Sequence, residues 1–476
     1  MPFVPHTSSQ VRDMLRRLGA RSVAELYDEI PDTLLRNEPP GIPSGLDEAG
    51  IGRIARQRAG SNTPLLCFAG GGAYEHHIPA AIWDIASRGE FYSNYTPYQA
   101  EAAQGSLQLT YEYQTMIAGL TGMDVANASL YDGATAFAEA CLMAVRCNRK
   151  SDARKIAVAR SLHPAWRAVA RTLLDGQGIE LVEAPLDDSG RADFNYVYEN
   201  IGGGFAAIAV AAPNYLGGMP DLEAWRALAD REGALLVVGI NPVSLGLLRP
   251  PGEFGADIVC GEGQPLGIPM SGGGPFLGLL ACKAQYLRQM PGRLAGRTVD
   301  AAGDTAYVLT LQAREQHIRR SRATSNICTN QGLMVVAATL YMALLGGEGI
   351  RRVASACHAR TAQLVEALTA IGGVRRAFDA PFFHEDVLCL DRPVAPVLAA
   401  LAEQGILGGI DISSEYPELG NALLVCATEM RTEDDILRYA RALREIVAPG
   451  QRASRNRRAT SARSTKHEPD DSGQAA

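Results

Sequence analysis

Lysine is almost missing from this chain of 476 residues. Only Lys150, Lys155, Lys283 and Lys466 occur, and arginine supplies the rest of the positive charge. Chemistry that depends on a lysine amine therefore has four places to reside. Excess positive charge is lacking too: 52 acidic against 45 basic residues leave a net charge of -7. Nothing in that balance points to nucleic acid as a partner. The nine cysteines form no CxxC pair and no metal-ligand spacing. An odd, dispersed set excludes a disulfide framework and fits free thiols in a reducing compartment, the cytoplasm. No run reads as long and apolar enough for a membrane helix. The start, Met1 to His6, lacks the basic and then apolar pattern of a secretory signal.

Glycine, by contrast, is abundant, with 49 residues. It gathers in runs at Gly70–Gly72, Gly202–Gly204 and Gly272–Gly274, where a backbone can approach a ligand or another backbone closely. Hydrophobic residues at 47% and charged residues at 20% are ordinary for a globular chain, and the length allows two or three domains.

The periodicity predicts an N-terminal helical arm over 1–60. Ser8 or Ser9 would cap a helix through Val11, Met14, Leu15 and Leu18 that stops at Gly19. A second short helix would carry Val23, Leu26 and Tyr27, followed by a Pro- and Gly-rich loop from Pro39 to Gly45. Residues 61–330 alternate strand and helix signals, with apolar runs at 156–159, 179–184, 206–212, 234–240 and 258–260. Asp221 and Gly233 stand where a carboxylate and a glycine cap the two ends of a helix over 221–232. Alternation of this kind implies a large α/β domain with a mostly parallel sheet, whose ligands bind beyond the carboxyl ends of its strands. The pattern changes near Gln331. Helices over 335–345 and 352–370 and short strands near 387–390, 409–412 and 423–425 suggest a smaller C-terminal α+β domain over 331–450. Residues 451–476 have no apolar run to bury and read as a disordered tail.

Three stretches carry a specific resemblance. The first runs Ala73-Tyr74-Glu75-His76-His77-Ile78-Pro79 and on through Tyr95-Thr96-Pro97-Tyr98-Gln99 to Gly105. The second runs from Tyr111-Glu112-Tyr113-Gln114 to Tyr131-Asp132-Gly133-Ala134-Thr135. The third runs from Gln312-Ala313-Arg314-Glu315 to Thr329-Asn330-Gln331. Together they resemble the P-protein of the glycine cleavage system, in particular the alpha subunit of its split bacterial form. The likeness covers roughly residues 1 to 448. It implies a fold-type I pyridoxal-phosphate-dependent transferase architecture and glycine dehydrogenase (decarboxylating) activity. In that reaction carbon dioxide leaves glycine and the aminomethyl group passes to the lipoyl arm of the H-protein, with the cofactor ring as electron sink. It also implies a catalytic beta subunit as partner, in a two-plus-two assembly, with no nucleic acid and no membrane involved.

Set against that resemblance, the scarcity of lysine becomes specific. In the beta subunits a lysine precedes an Ile-Pro and glycine run; here the run is Ile268-Pro269 to Gly274, and counting back places Gln264 at the lysine position. An amide cannot form the imine that anchors the cofactor. The strand end Val238-Gly239-Ile240-Asn241 carries no carboxylate for the cofactor's ring nitrogen. No catalytic residue is therefore expected in this chain alone, and pyridoxal phosphate is expected to be held covalently by the partner. Asp132, Gly133 and Thr135 read as a vestigial phosphate loop at a helix start. Ser271, Gly272 and Gly273 either reach cofactor held by the partner or mark a close backbone crossing. Tyr95, Thr96, Tyr98 and Gln99 are candidates to line an interface active site on a proline-fixed loop, although Tyr92 and Tyr98 could equally be core or interface rings. Asn94 departs from the small residue usual there. His76 and His77 read as a packed pair, with no metal, because no acidic or cysteine partner follows at ligand spacing. His317 reads as part of a solvated or ion-paired helix face, and Lys283 as a solvated lysine.

Overall fold

The computed structural model describes residues 5–31, 33–34, 41–92, 95–193, 196, 199–200 and 204–447. Asn94 and the stretch 451–476 lie outside them. The chain divides into two compact units, Met1–Thr63 and Pro64–Ala476.

In the first unit, helix α1 spans Ser8–Leu18 and ends on Gly19, whose φ of 74° is one that a β-carbon disfavours. Its cap is Thr7 rather than Ser8 or Ser9: Thr7 and Gln10 bond each other's backbone in a capping box. A 3-10 turn over Val23–Tyr27 and a helix over Glu48–Gly60 complete the unit. Leu18, Val23, Leu26, Tyr27 and Ile42 remain exposed.

The second unit is built on a seven-stranded sheet. Its strands are β1 (Val125–Ala126), β2 (Lys155–Ala159), β3 (Glu180–Ala184), β4 (Ala207–Ala212), β5 (Leu235–Ile240), β6 (Ile258–Glu262) and β7 (Gly278–Cys282), in the spatial order β1-β7-β6-β5-β4-β2-β3. All neighbours from β6 to β3 are parallel; β7 runs antiparallel to β6 and to β1. Every residue of β4, β5 and β6 is buried, as a sheet covered on both faces requires. Helix α2 (Gln104–Thr121) packs with one face's core, and α3 (Gly133–Cys147) and α4 (Pro164–Asp175) with the other. Helix α5 (Leu222–Glu232) links β4 to β5. Asp221 caps its start by accepting from the Ala224 N–H, and Gly233 ends it at φ 63°, as read from the sequence.

The run Gly332–Thr369, here α6, is two helices as expected, meeting at a kink at Gly346, whose φ of 57° and ψ of -176° are not helical. By length and composition α6 could cross a membrane, contrary to the reading that no stretch could. Here half of that apolar window is buried inside the fold, and Val335, Ala337, Ala338, Tyr341 and Met342 pack in the main core. Beyond α6 lies a four-stranded antiparallel sheet of β8 (Val374–Arg376), β9 (Glu385–Leu390), β10 (Ile410–Asp411) and β11 (Ala422–Cys426), in the order β8-β9-β11-β10. It is covered by Val394–Glu403 and by α7 (Glu433–Val447).

Candidate functional site

The carboxyl ends of β4, β5 and β6 and the start of α3 meet at one place, where a ligand would be expected. Protein side chains fill it. Gln264, two residues past β6, is 2% exposed and has no freedom to react. Its Oε1 accepts from the Tyr74 N–H at 2.8 Å, and its Nε2 donates to the carbonyls of Tyr74 at 3.0 Å and Ile268 at 2.7 Å. The amide thus ties the loop before Pro79 to the loop after β6. A lysine offers no acceptor for the Tyr74 N–H.

The start of α3 is closed by a carboxylate of this chain. Glu262 Oε2 accepts from the Gly133 N–H at 2.8 Å, and its Oε1 accepts from the N–H groups of Gln264 at 2.9 Å and Leu277 at 3.0 Å. Asp132 completes the cap by accepting from the Thr135 N–H at 2.8 Å, and the Thr135 hydroxyl lies 3.1 Å from the Asp132 N–H. A helix start attracts anions through its free N–H groups and dipole, and here the anion is built in. Burial raises the Glu262 carboxyl to about 7, against the three N–H groups that favour its charged form. Trp166 takes the neighbouring volume: a β-carbon on Gly133 would lie 2.4 Å from its ring, and one on Gly239 3.3 Å. The indole stacks on His163 at 5.9 Å and 12°, and His163 in turn donates from Nε2 to the Gly71 carbonyl at 2.7 Å.

Asn241, at the end of β5, serves as a structural cap. Its Oδ1 accepts from the Val243 N–H at 3.0 Å, while its amide N–H donates to His384 Nε2 at 3.0 Å. Burial holds the His384 imidazole neutral, well below its usual range. From β9 a second carboxylate, Glu385, accepts from the Gly71 N–H at 2.6 Å and from the Tyr74 hydroxyl at 2.7 Å. Burial lifts it to about 7 as well. What remains among Tyr74, His163, Trp166, Asn241, Glu262 and Glu385 is a cavity of about 50 Å³. That is space for only a few water molecules, far from the roughly 300–1,000 Å³ of a cofactor pocket. Pyridoxal phosphate does not fit here: the anchor is an amide, the phosphate cradle holds Glu262, and no carboxylate ends β5.

The other candidates lie away from this cavity. Tyr95 is 86% exposed, Tyr98 half exposed, and Gln99 exposed, whereas Thr96 is partly covered. Tyr98 joins the third motif: its ring lies 5.2 Å from His317, and Arg293 donates to its hydroxyl at 3.3 Å. The three motifs do converge, since Gln331 bonds Ser129 and the Cys328 N–H donates to the Tyr131 hydroxyl at 2.9 Å. His317 sits 3.6 Å from Glu315. Ser271, Gly272 and Gly273 are exposed, with φ values of 45°, 66° and 125°. A β-carbon on either glycine would meet no atom of this chain within 4 Å. Among the described residues, then, no backbone crosses there.

Two readings need correction. His76 does have acidic and cysteine partners, brought from far along the chain: Glu429 accepts from His76 at 2.8 Å, from the His77 N–H at 2.7 Å and from the Cys357 thiol at 3.2 Å. The three ligand atoms of His76, Cys357 and Glu429 lie within 4.8 Å of one another. Burial opposes the charge of Glu429, but His76 and the His77 N–H hold its carboxyl at about 2. These hydrogen bonds account for the cluster as it stands. Lys283 is not free in solvent but partly exposed and ion-paired: its Nζ donates to Asp257 at 2.6 Å. The signals absent from the sequence reading were Glu262 and Trp166. Both sit beside residues that were singled out, but their meeting with Gly133 depends on chain folding over 129 residues in the case of Glu262.

The family pattern of the glycine cleavage system P-protein matches residues 1–443. The chain is 55% identical over 451 residues to a probable glycine dehydrogenase (decarboxylating) subunit 1 of Methylococcus capsulatus, covering 94% of this chain and all of that one. It is 54% identical to the counterpart of Nitrosomonas europaea, covering 94% and 99%. A crystal structure of glycine decarboxylase (P-protein) of the glycine cleavage system, in inhibitor-bound form, superposes with a TM-score of 0.85 at 42% identity, over 94% of this chain and all of that one. A sphingosine-1-phosphate lyase of Burkholderia pseudomallei, at 17% identity and a TM-score of 0.63, shares the fold alone. The architecture is that of fold-type I pyridoxal-phosphate-dependent enzymes, and the chain belongs to the glycine cleavage system P-protein family, with the subunit 1 proteins.

Proposed function

We propose that this chain is the subunit of a two-part glycine dehydrogenase (decarboxylating) that shapes the active site without anchoring its cofactor. The observation that carries the reading is the filled cradle, with Gln264 locked by three hydrogen bonds and Glu262 in the anion position. Pyridoxal phosphate is then held covalently by the beta subunit, in an assembly of two alpha and two beta chains. Together the two chains take carbon dioxide from glycine and pass the aminomethyl group to the lipoyl arm of the H-protein. This chain's part is positional. The proline-fixed loop with Tyr95, Thr96, Tyr98 and Gln99, and the open turn of Ser271, Gly272 and Gly273, offer exposed groups at Tyr95, Gln99 and the turn, while Tyr98 is held by Arg293 and His317. Rigid loops of this kind can line a neighbour's site and exclude water from it. The described cysteines are all free, which suits the cytoplasm.

The test combines this chain with the beta subunit and lipoylated H-protein and follows exchange of the glycine carboxyl carbon with bicarbonate. Exchange should require both chains. Ser271→Pro should lower it while the complex stays assembled. Normal exchange by that variant and by Thr96→Ala would leave only a scaffolding role. A covalent cofactor band on this chain alone would overturn the assignment to the partner.

A further inference from the structure

A cavity of about 660 Å³ lies at the opposite end of the strands from Gln264. It opens where β5 begins at Leu235 and where Asp257 precedes β6, beside the carboxyl ends of α3 and α5. Five cations line it: Arg146, Arg149, Lys150, Arg226 and Lys283. Two of the chain's four lysines are thus gathered at one cavity. Its two carboxylates are already engaged. Asp257 binds Arg226 at 2.7 Å and Lys283 at 2.6 Å, and Asp230 takes the other arm of Arg226 at 2.7 Å.

Arg146, Arg149 and Lys150 remain. Among the described residues no carboxylate forms an ion pair with any of the three. Arg146 donates only to the Gln289 carbonyl, and its buried Nε has no partner; burial lowers its guanidinium from the ordinary value. The Nε of Arg226 is also buried without a partner. Cations near helix carboxyl ends are commonly there to offset the dipole, and that explanation can be weighed. Each helix end carries about half a negative charge, so the two ends together offset about one of three free cations. Glu139, on the same helix, acts on the charge of Arg146 and offsets part of a second, so roughly one positive charge stays unanswered in a concave, partly desolvated space, where an anion gains more than it would on an open surface.

We propose that this cavity binds a phosphorylated small molecule, with the phosphate groups held by Arg146, Arg149 and Lys150. Its volume is that of a nucleotide-sized ligand, within the roughly 300–1,000 Å³ usual for such sites. Arginine forks and a lysine ammonium are the donors that phosphate oxygens select. The proposal is independent of the role assigned above, because no residue of this cavity touches the region around Gln264.

The test is calorimetric titration of inorganic pyrophosphate, and separately of ADP, into the full chain assembled with its beta subunit. Wild type should bind pyrophosphate with a Kd below about 1 mM at physiological salt, and Arg149→Ala and Lys150→Ala should each weaken it about tenfold. Both side chains are exposed, so neither change should unfold the protein. Tighter binding of ADP than of pyrophosphate would identify a nucleotide; equal binding would identify the diphosphate alone as the recognised group. Either supports the site. Absence of binding in wild type overturns it. So does equal weakening by Arg16→Ala, an exposed arginine of α1, which would mark nonspecific attraction. Binding by the isolated chain that vanishes in the assembly would also overturn it, since the face would then be a subunit contact.

Discussion

The region beneath Gln264 and the exposed segments Tyr95–Gln99 and Ser271–Gly273, which lie away from it, treat their polar groups differently. Beneath Gln264 the N–H groups of Gly133, Thr135, Gly71 and Tyr74 have each found an acceptor within the chain. In the exposed segments, Tyr95 stands 86% exposed and two glycines face open space. A site that binds a ligand leaves polar groups for the ligand to satisfy; one that has been converted to structure does not. By that criterion the region beneath Gln264 is built as structure, and the proposed role rests on the exposed segments.

The largest expected effect comes from restoring the missing lysine. Gln264→Lys removes the acceptor for the Tyr74 N–H at a buried position and introduces an ammonium there with no carboxylate bonded to it. Breaking a buried polar network of this kind costs about 3–5 kcal/mol. Chemical denaturation should show that loss, and no visible absorption band should appear with added pyridoxal phosphate. A stable variant that acquired such a band would break the comparison, because the cradle would then be competent.

Glu385 gives a pH-dependent test of the same region. Its folded carboxyl titrates near 7, above the 4.5 of an ordinary glutamate. The folded state therefore binds the proton more tightly than the unfolded chain does. Stability from this group is fully present below pH 4.5 and is lost as pH rises towards 7. A shift of that size corresponds to roughly 3 kcal/mol at most. Glu385→Gln can still accept from Gly71 and donate to the Tyr74 oxygen. It should flatten the fall in stability between those pH values, read from urea midpoints across the range. An unchanged slope would mean that Glu385 is ionised in the fold throughout.

Glu262→Gln sharpens the account of the cradle. The amide oxygen can keep Gln264 and Leu277, but its NH2 then faces the Gly133 N–H. One buried donor left unpaired costs about 1–3 kcal/mol. A variant as stable as the original would show that the carboxylate is not serving as the helix anion.

Much of this was legible in the sequence, for identifiable reasons. The unit from β4 through α5 to β5 was readable because its signals are local: buried apolar runs, Asp221 at one end and Gly233 at the other. Gln264 and Asn241 were readable because an absence can be counted along a motif. What replaced the missing groups was not. Glu262 acts across 129 residues on Gly133, and Glu429 across 352 on His77, with no periodic trace of either pairing. The two helices of α6 were readable from their apolar periodicity, and they meet at Gly346, where the backbone leaves the helical region. The composition of α6 looks membrane-like, since a helix buried in a core and one buried in lipid need the same side chains.

The smallest structural effect should accompany the clearest functional one. Tyr95 is exposed and has no packing to lose, so Tyr95→Ala should change stability by no more than about 0.5 kcal/mol. If its ring closes part of a site on the neighbouring chain, glycine–bicarbonate exchange by the assembled enzyme should nevertheless fall by about tenfold, equivalent to 1.4 kcal/mol of lost transition-state binding. The matching change beneath Gln264 behaves in reverse: Trp166→Ala opens space in a filled cavity, costs stability, and leaves any effect on exchange proportional to the folded complex that survives. Measuring both variants at equal complex concentration separates the regions. A Tyr95 variant with full exchange, beside a Trp166 variant whose loss of turnover exceeds its loss of assembly, would move the functional surface from the exposed segments back to the interior.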